Sequence, residues 1–195
     1  MRSSRQDTEK HREAIIDAAA KLVRERGLDG VSVPELMAEV GMTHGGFYRH
    51  FDSKEALAPV AFARAFSTVD NFLQAAANNH PDDQDGTLRE FFQTYLSPKH
   101  RDDPGTGCAS TALAGDMARA TPGAAAQKAY VCGVEQMVRE LQAVQGSDSA
   151  DSHQQALVTL STMVGALLLS RATRGNAISD DLLSAALQAI LPKPD

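Results

Sequence analysis

Apolar residues recur at three- and four-residue spacings along nearly the whole chain, and no stretch alternates in the manner of a half-buried strand. That period puts apolar side chains on one face of a helix, so it demands helices packed on helices. From Thr8 to Arg26 the apolar set is Ala14, Ile15, Ala18, Ala19, Leu22 and Val23. Gly27 stops this helix, and Lys21, Arg24 and Arg26 suit its negative end. Ser32-Val33-Pro34-Glu35 is a capping box with proline in the first turn. It opens a short helix carrying Leu36, Met37 and Val40, which ends at Gly41. Thr43 is placed to cap a third helix through Phe51, and Asp52-Ser53-Lys54-Glu55 starts a long one from Lys54 to Asn78.

Further helices are predicted at 87–96, 108–120, 121–144, 153–174 and 179–191, the last two begun by His153 and by the cap Ser179-Asp180-Asp181. The polar stretches 79–86, 97–107 and 146–152 read as loops. The expected fold is all-α, with about nine helices and no strand. Residues 1–55 form a three-helix unit, and residues 56–195 form a larger helical domain. Aromatic residues are only 5% of the chain and tryptophan is absent, which also disfavours a sheet protein.

The second and third helices are joined by a tight glycine turn, the arrangement of a helix–turn–helix. The third, Thr43-His44-Gly45-Gly46-Phe47-Tyr48-Arg49-His50-Phe51, carries two consecutive glycines. Each costs a helix interior roughly 1 kcal/mol against alanine, so a purely structural helix has little use for the pair. Close approach of a bulky partner explains them, and DNA is such a partner. His44 stands in the first turn, where side chains reach base edges. Tyr48, one turn on, can donate to a phosphate. His50 and Lys54 bracket the next helix, whose N-terminal amides suit a phosphate oxygen. Phe51, and in part Phe47, also read as core aromatics.

Three segments here resemble the TetR family of bacterial transcriptional regulators. They are Gly27-Leu28-Asp29-Gly30-Val31-Ser32-Val33, Ala38-Glu39-Val40-Gly41-Met42-Thr43, and Phe47-Tyr48-Arg49-His50-Phe51-Asp52-Ser53-Lys54-Glu55-Ala56-Leu57. The resemblance covers about the first 60 residues. It implies an all-helical homodimer with an N-terminal DNA-binding domain, a C-terminal domain for ligand and dimerisation, and repression relieved by an inducer. It places Thr43, Tyr48, His50 and Lys54 at phosphate contacts and His44 and Gly45 at bases. Ser32, Val33 and Phe47 complete the candidate DNA-binding set. The position of His44 is often lysine in the family and that of Gly46 is often larger, so the operator sequence does not carry over.

The implied partners are double-stranded, pseudo-palindromic operator DNA and a small-molecule inducer. A two-fold dimer sets two recognition helices ~34–36 Å apart, one turn of the duplex. The chain is acidic overall, at −6, but the first 60 residues hold 9 basic against 10 acidic groups and the remainder 10 against 15. Acid therefore concentrates away from the candidate DNA face, and DNA binding needs only a local patch. The basic arm Arg2, Arg5, Lys10 and Arg12 reads as a solvated tail or, functionally, as a minor-groove contact.

Phe62, Phe66, Phe91, Tyr95, Cys108, Met117, Tyr130, Met137 and Met163 are candidates for an inducer pocket, with Phe72 and Phe92 beside them; the same residues equally suit a core. Leu160, Val164, Leu168, Leu183, Leu187 and Ile190, on the last two helices, are candidates for the dimer interface the resemblance implies. Cys108 opens a helix, where a thiol can become reactive; the alternative is a small buried hydrophobe. Its Gly-Cys context resembles members that sense electrophiles or oxidants. Cys132 is expected to be buried.

No hydrolase, phosphate-loop or zinc-protease motif is present, and the histidines show no metal-ligand spacing, so neither an enzyme nor a cofactor is expected. The apolar run Met163 to Leu169 is far short of the ~20 residues that span a bilayer, and the N-terminus shows no apolar signal, so a cytoplasmic location is expected. The competing class is a helical sensor or adaptor that does not bind DNA.

Overall fold

The computed structural model describes residues 5–145 and 150–191. Arg2 and Pro192, to which the sequence assigns a minor-groove contact and a helix stop, lie outside the described residues. Over the described residues the chain forms α1 (Arg5–Arg26), α2 (Val33–Glu39), α3 (His44–Phe47), α4 (Lys54–Asn79), α5 (Gln84–Tyr95) and α6 (Pro98–Asp102). A 3-10 turn (Pro104–Thr106) then leads to α7 (Ala109–Arg119), α8 (Ala125–Val144), α9 (Ala150–Ala172) and α10 (Ala177–Ile190). There is no strand among them.

The α1 stripe is buried as its period requires, through Ile15, Ile16, Ala19, Ala20, Leu22 and Val23. α4 is shared between the two halves of the molecule. Leu57, Ala58 and Ala61 lie with residues of α1 and α2, and the helix goes on to bury Phe62, Ala65, Phe66, Val69 and Ala76. The boundary expected after residue 55 therefore falls within the first turn of one continuous helix. Asp17 and Glu13 of α1 both bind Arg64 of α4, the latter at 2.5 Å.

The end of α1 is fastened to α7. Leu28 donates its amide to Asp116 Oδ2 at 2.8 Å. Gly27 sits at φ +75°, and a β-carbon there would lie 2.6 Å from the same carboxylate oxygen. Both the left-handed backbone and the close approach require glycine.

Several boundaries differ from the periodicity reading, each for a local reason. α3 ends at Phe47 rather than Phe51, because Arg49 and His50 turn back onto the carbonyls of Gly46 and Phe47 three residues earlier. α5 starts at Gln84, since Asp83 caps the Gly86 amide at 2.8 Å. The loop expected at 97–107 contains α6, capped by Ser97 and opened by Pro98. α8 begins only at Ala125, past Gly123 at φ +82°. α9 starts at Ala150, inside the expected loop. α10 begins at Ala177, so Ser179 is no cap: it is buried inside the helix, its hydroxyl 2.9 Å from that of Ser170 in α9.

α9 carries an apolar face that the chain leaves open. Leu157, Val158, Leu168 and Leu169 are exposed there, as is Ile178 at the start of α10. For that reason Asp151–Ala172 is, by length and composition, apolar enough to cross a membrane, although its longest unbroken apolar run is short. Of the residues expected at a dimer interface, Leu160 and Leu183 are instead buried within the chain. Their helical phase turns them into the α9–α10 seam and the core. Val164, Leu187 and Ile190 are half-buried, and Leu168 is exposed.

Candidate nucleic-acid interface

Local hydrogen bonds alone build the helix–turn–helix. Ser32 accepts from the Glu35 amide at 3.4 Å while the Glu35 carboxylate accepts from the Ser32 amide at 3.0 Å and from its hydroxyl at 2.6 Å. These bonds hold the Glu35 carboxyl below its ordinary pKa. Past Val40 the chain enters the left-handed region at Gly41, φ +67°. The Gly41 amide then reaches Ala38 O at 3.0 Å and the Met42 amide reaches Met37 O at 2.8 Å. This paired closure satisfies the last carbonyls of α2 and sets the direction of α3.

Phe47 anchors the unit and is fully buried. It lies 5.7 Å from the Phe51 ring and 5.4 Å from Tyr48, edge to face in the latter case. Its assignment as a DNA contact is therefore corrected: with no exposed surface, it supports its neighbours from below. The polar residues around it point outward. Thr43, His44 and Gly45 are exposed, and Tyr48 is 57% exposed, its ring edge-on to His44 at 5.6 Å. Lys54 is half-buried at the start of α4, where Ser53 caps the Ala56 amide at 3.2 Å. Ser32 is exposed and Val33 half-buried, packed against the core.

The glycine pair has no cause among the described residues. A β-carbon on Gly45 would meet nothing within 4 Å, and one on Gly46 would make only ordinary contacts, the nearest 3.5 Å from Met37. Neither has a left-handed backbone. Facing them across a groove of about 520 Å³ are Thr8 and His11 of α1. The His11 and His50 rings meet edge to face at 6.4 Å, and Arg12 lies 5.1 Å over the Phe51 ring. Partial burial, then the charges of His11, Arg12 and Arg49, lower the His50 pKa. Spacing within the turn does not reveal His11 and Arg49 as part of this surface; the return of α1 beside it does.

The body of the molecule has a second polar cluster. Cys108 is fully buried at the N-terminus of α7. Its amide donates to His100 Nε2 at 2.9 Å, while His100 Nδ1 donates to Tyr95 O at 2.7 Å. This fixes a neutral imidazole, and burial lowers its pKa to about 4. Burial raises the Tyr95 hydroxyl well above its ordinary range, and that of Tyr130 to about 12, with Cys108 contributing at both. Arg24 and Arg171 are also charge neighbours of Cys108. Arg24 donates to Gly105 O at 2.9 Å and Arg171 to His100 O at 3.0 Å.

Phe62, Phe66, Phe91, Met117 and Met163 are packed into the same continuous core. Met137 receives the Ser110 hydroxyl at 3.1 Å, and Tyr130 donates to Ser110 O at 2.9 Å. A cavity of about 170 Å³ lies to one side, lined by Phe72, Lys99, His100, Asp103 and their neighbours. Cys132 is exposed, which corrects the expectation that it is buried, and both cysteines are free thiols.

Residues 15–60 match the family described as bacterial regulatory proteins, tetR family. The HTH-type transcriptional repressor BepR of Brucella suis is 34% identical over 82 residues, 42% of this chain and 39% of that protein. The HTH-type transcriptional regulator EthR of Mycobacterium tuberculosis is 33% identical over 113 residues, 55% and 48% of the two chains. The aligned region thus spans about half or less of these relatives. The fold extends further. The reduced form of Escherichia coli NemR superposes with a TM-score of 0.74 at 21% identity, covering 94% of this chain and 97% of that one. A TetR transcriptional regulator from Chloroflexus aurantiacus gives 0.77 at 23% identity, covering 95% and 94%. The matched family domain is thus seated on the helix–turn–helix, and the fold is shared along nearly the whole chain with these solved structures.

Proposed function

We propose that this protein is a cytoplasmic, dimeric, sequence-specific DNA-binding transcriptional regulator, a repressor released by a small-molecule inducer or by modification of Cys108. The observation that carries the reading is the exposed edge Thr43–His44–Gly45–Tyr48 mounted on a fully buried Phe47. His44 and the open backbone at Gly45 meet base edges. Thr43, Tyr48, His50 and Lys54 hold phosphates, with Ser32 and Val33 at the flank. The exposed apolar face of α9 and the start of α10 is where a second copy packs, bringing two such edges onto one pseudo-palindromic site.

Release requires that the body and the DNA-binding unit move together. Arg24 supports this coupling: it leaves α1 to bind the Gly105 carbonyl, three residues before Cys108. A ligand beside Cys108, or a group added to its sulfur, displaces the turn that holds Arg24. A coupling of 1–3 kcal/mol changes DNA affinity about 5- to 150-fold.

The decisive experiment is selection of bound duplexes from a random library by wild type and by Tyr48→Ala. Enrichment of a palindromic site by wild type alone is expected. No enrichment by either would return the chain to the class of helical sensors that do not read DNA. Cys108→Ser separates the two modes of release. If Cys108 is the trigger, the variant keeps basal affinity and no longer lets go of DNA when a thiol reagent is added. An unchanged response to the reagent rules out Cys108 as the trigger.

A further inference from the structure

The groove between α1 and the turn after α3 is roomy and carries Arg49 and two histidines, and nothing among the described residues fills it. One wall is the N-terminal half of α1, which presents His11. The other is Thr43, Gly45, Gly46, Arg49 and His50. No carboxylate is among the described residues lining it. Two of its lining residues, Gly45 and Gly46, have no β-carbon, so an anion can approach their backbone closely.

We propose that this groove clasps one backbone phosphate of the duplex between His11 and His50, with Arg49 at its rim, and that the clasp tightens as the pH falls. The proposal rests on the DNA-binding reading above and extends it to residues of α1. The groups acting on His50 are His11 and Arg12 of α1, which oppose its protonation, Glu9 of α1, which favours it, and Arg49 beside it, which opposes it. In the free protein partial burial and the charges of His11, Arg12 and Arg49 disfavour the imidazolium. A phosphodiester in the groove supplies the missing negative charge, so its arrival favours imidazolium and gives both ring nitrogens a proton to donate. Binding therefore takes up a proton, and affinity rises as pH falls through the titration of the complex. Because the contact is to phosphate, it is blind to sequence.

The test uses a mixed-sequence duplex at low salt, so it does not depend on knowing the operator. Wild-type affinity is expected to rise about fivefold from pH 8 to pH 6, part of the roughly tenfold limit set by raising one histidine's pKa by about a unit. His50→Gln is expected to bind several-fold more weakly at pH 6 and to lose most of this dependence, and His11→Gln to bind more weakly at pH 6. His11 is exposed, so the fold is retained. His44→Gln, at the base-reading edge, keeps the dependence. Arg49→Gln lowers the slope of log affinity against log salt by about one. By NMR, the His50 ring titrates at higher pH once duplex is added. A flat wild-type profile, or an unchanged profile in His50→Gln, overturns the clasp while leaving DNA binding standing. A wild type that binds no duplex at either pH overturns both.

Discussion

The helix–turn–helix unit and the body around Cys108 satisfy their polar groups in opposite ways. In the unit the bonds are local: Ser32 with Glu35, Gly41 with Ala38, Met42 with Met37. Its functional side chains are left exposed over an aromatic anchor. In the body the polar groups are at least partly buried and paired across long stretches of chain. Arg24 meets Gly105, Arg171 meets His100, and Leu28 meets Asp116. A surface built on local bonds can change its outward side chains without disturbing the fold. A buried network cannot, and a change at one member is transmitted to the others. That contrast suits a reader of DNA joined to a sensor of something else.

The largest expected effect tests whether the body is complete as a single chain. Leu168 and Leu169 are exposed on α9, whereas Leu160 is buried. Placing two unpaired carboxylates in an apolar interface costs about 3–5 kcal/mol or more. The double variant Leu168→Glu, Leu169→Glu should therefore raise the dimer dissociation constant at least a hundredfold by analytical ultracentrifugation, with helicity unchanged. Leu160→Ala should instead lower stability by about 2–5 kcal/mol, as a core truncation does. If the double variant sediments as the wild type does, this face is not the dimer contact.

Adjacent residues sharpen the contrast within the DNA-facing unit. Phe47→Ala should cost about 3–5 kcal/mol in denaturant unfolding, because a fully buried ring is removed. Tyr48→Ala should cost about 1 kcal/mol or less, mostly lost aromatic contact, yet weaken binding to matched and mismatched duplexes alike. His44→Ala should relax preference at a single base position, about 1–3 kcal/mol of discrimination. Equal losses on all sites from all three would erase the distinction between anchor, phosphate contact and base contact.

The body offers a pH test of comparable size. His100 has its native pKa pushed down from 6.5 to about 4 by burial. Below pH 6.5 the unfolded chain takes a proton that the native imidazole refuses. Stability is therefore full above pH 6.5 and falls as pH drops toward 4, by on the order of 2–3 kcal/mol. Glu140 works in the other direction. Burial, and Asp70 across the α4–α8 seam, raise its native pKa to about 7, so its contribution is full below the ordinary carboxylate range and is lost as pH rises through 7. The informative quantity is the difference between wild type and His100→Gln over pH 4 to 6.5. The variant should lose less stability there. Identical slopes would mean that the His100 bonds to Tyr95 and Cys108 do not hold the imidazole neutral.

What could be read from the sequence follows the same division. The capping box, the Gly41 turn and the α1 stripe are local, and residues a few positions apart announce them. Buried Phe47 and exposed Tyr48 are neighbours in one short helix, and period alone could not say which faced in. Ser179 looked like a cap because serine suits one, but the Ser170 hydroxyl in α9 claims it. The exposed leucines of α9 share the period of its buried ones, since both faces are apolar, so the stripe pointed to Leu160 and Leu183. His11 is distant in sequence from His50 and joins it only because α1 returns alongside the turn.

The smallest effect is the most direct test of why two glycines stand together in α3. Nothing in the chain lies within 4 Å of a β-carbon on Gly45, and its backbone is not left-handed. Gly45→Ala should therefore raise stability by about 0.5–1 kcal/mol, the helix preference of alanine over glycine. The added methyl stands where the backbone meets the duplex, so affinity for the selected site should fall even as the melting temperature rises. Stability and binding moving in opposite directions is the signature of a residue kept for its partner. A gain in both would show that DNA does not approach this backbone closely, and the exposed edge would have to read bases through His44 alone.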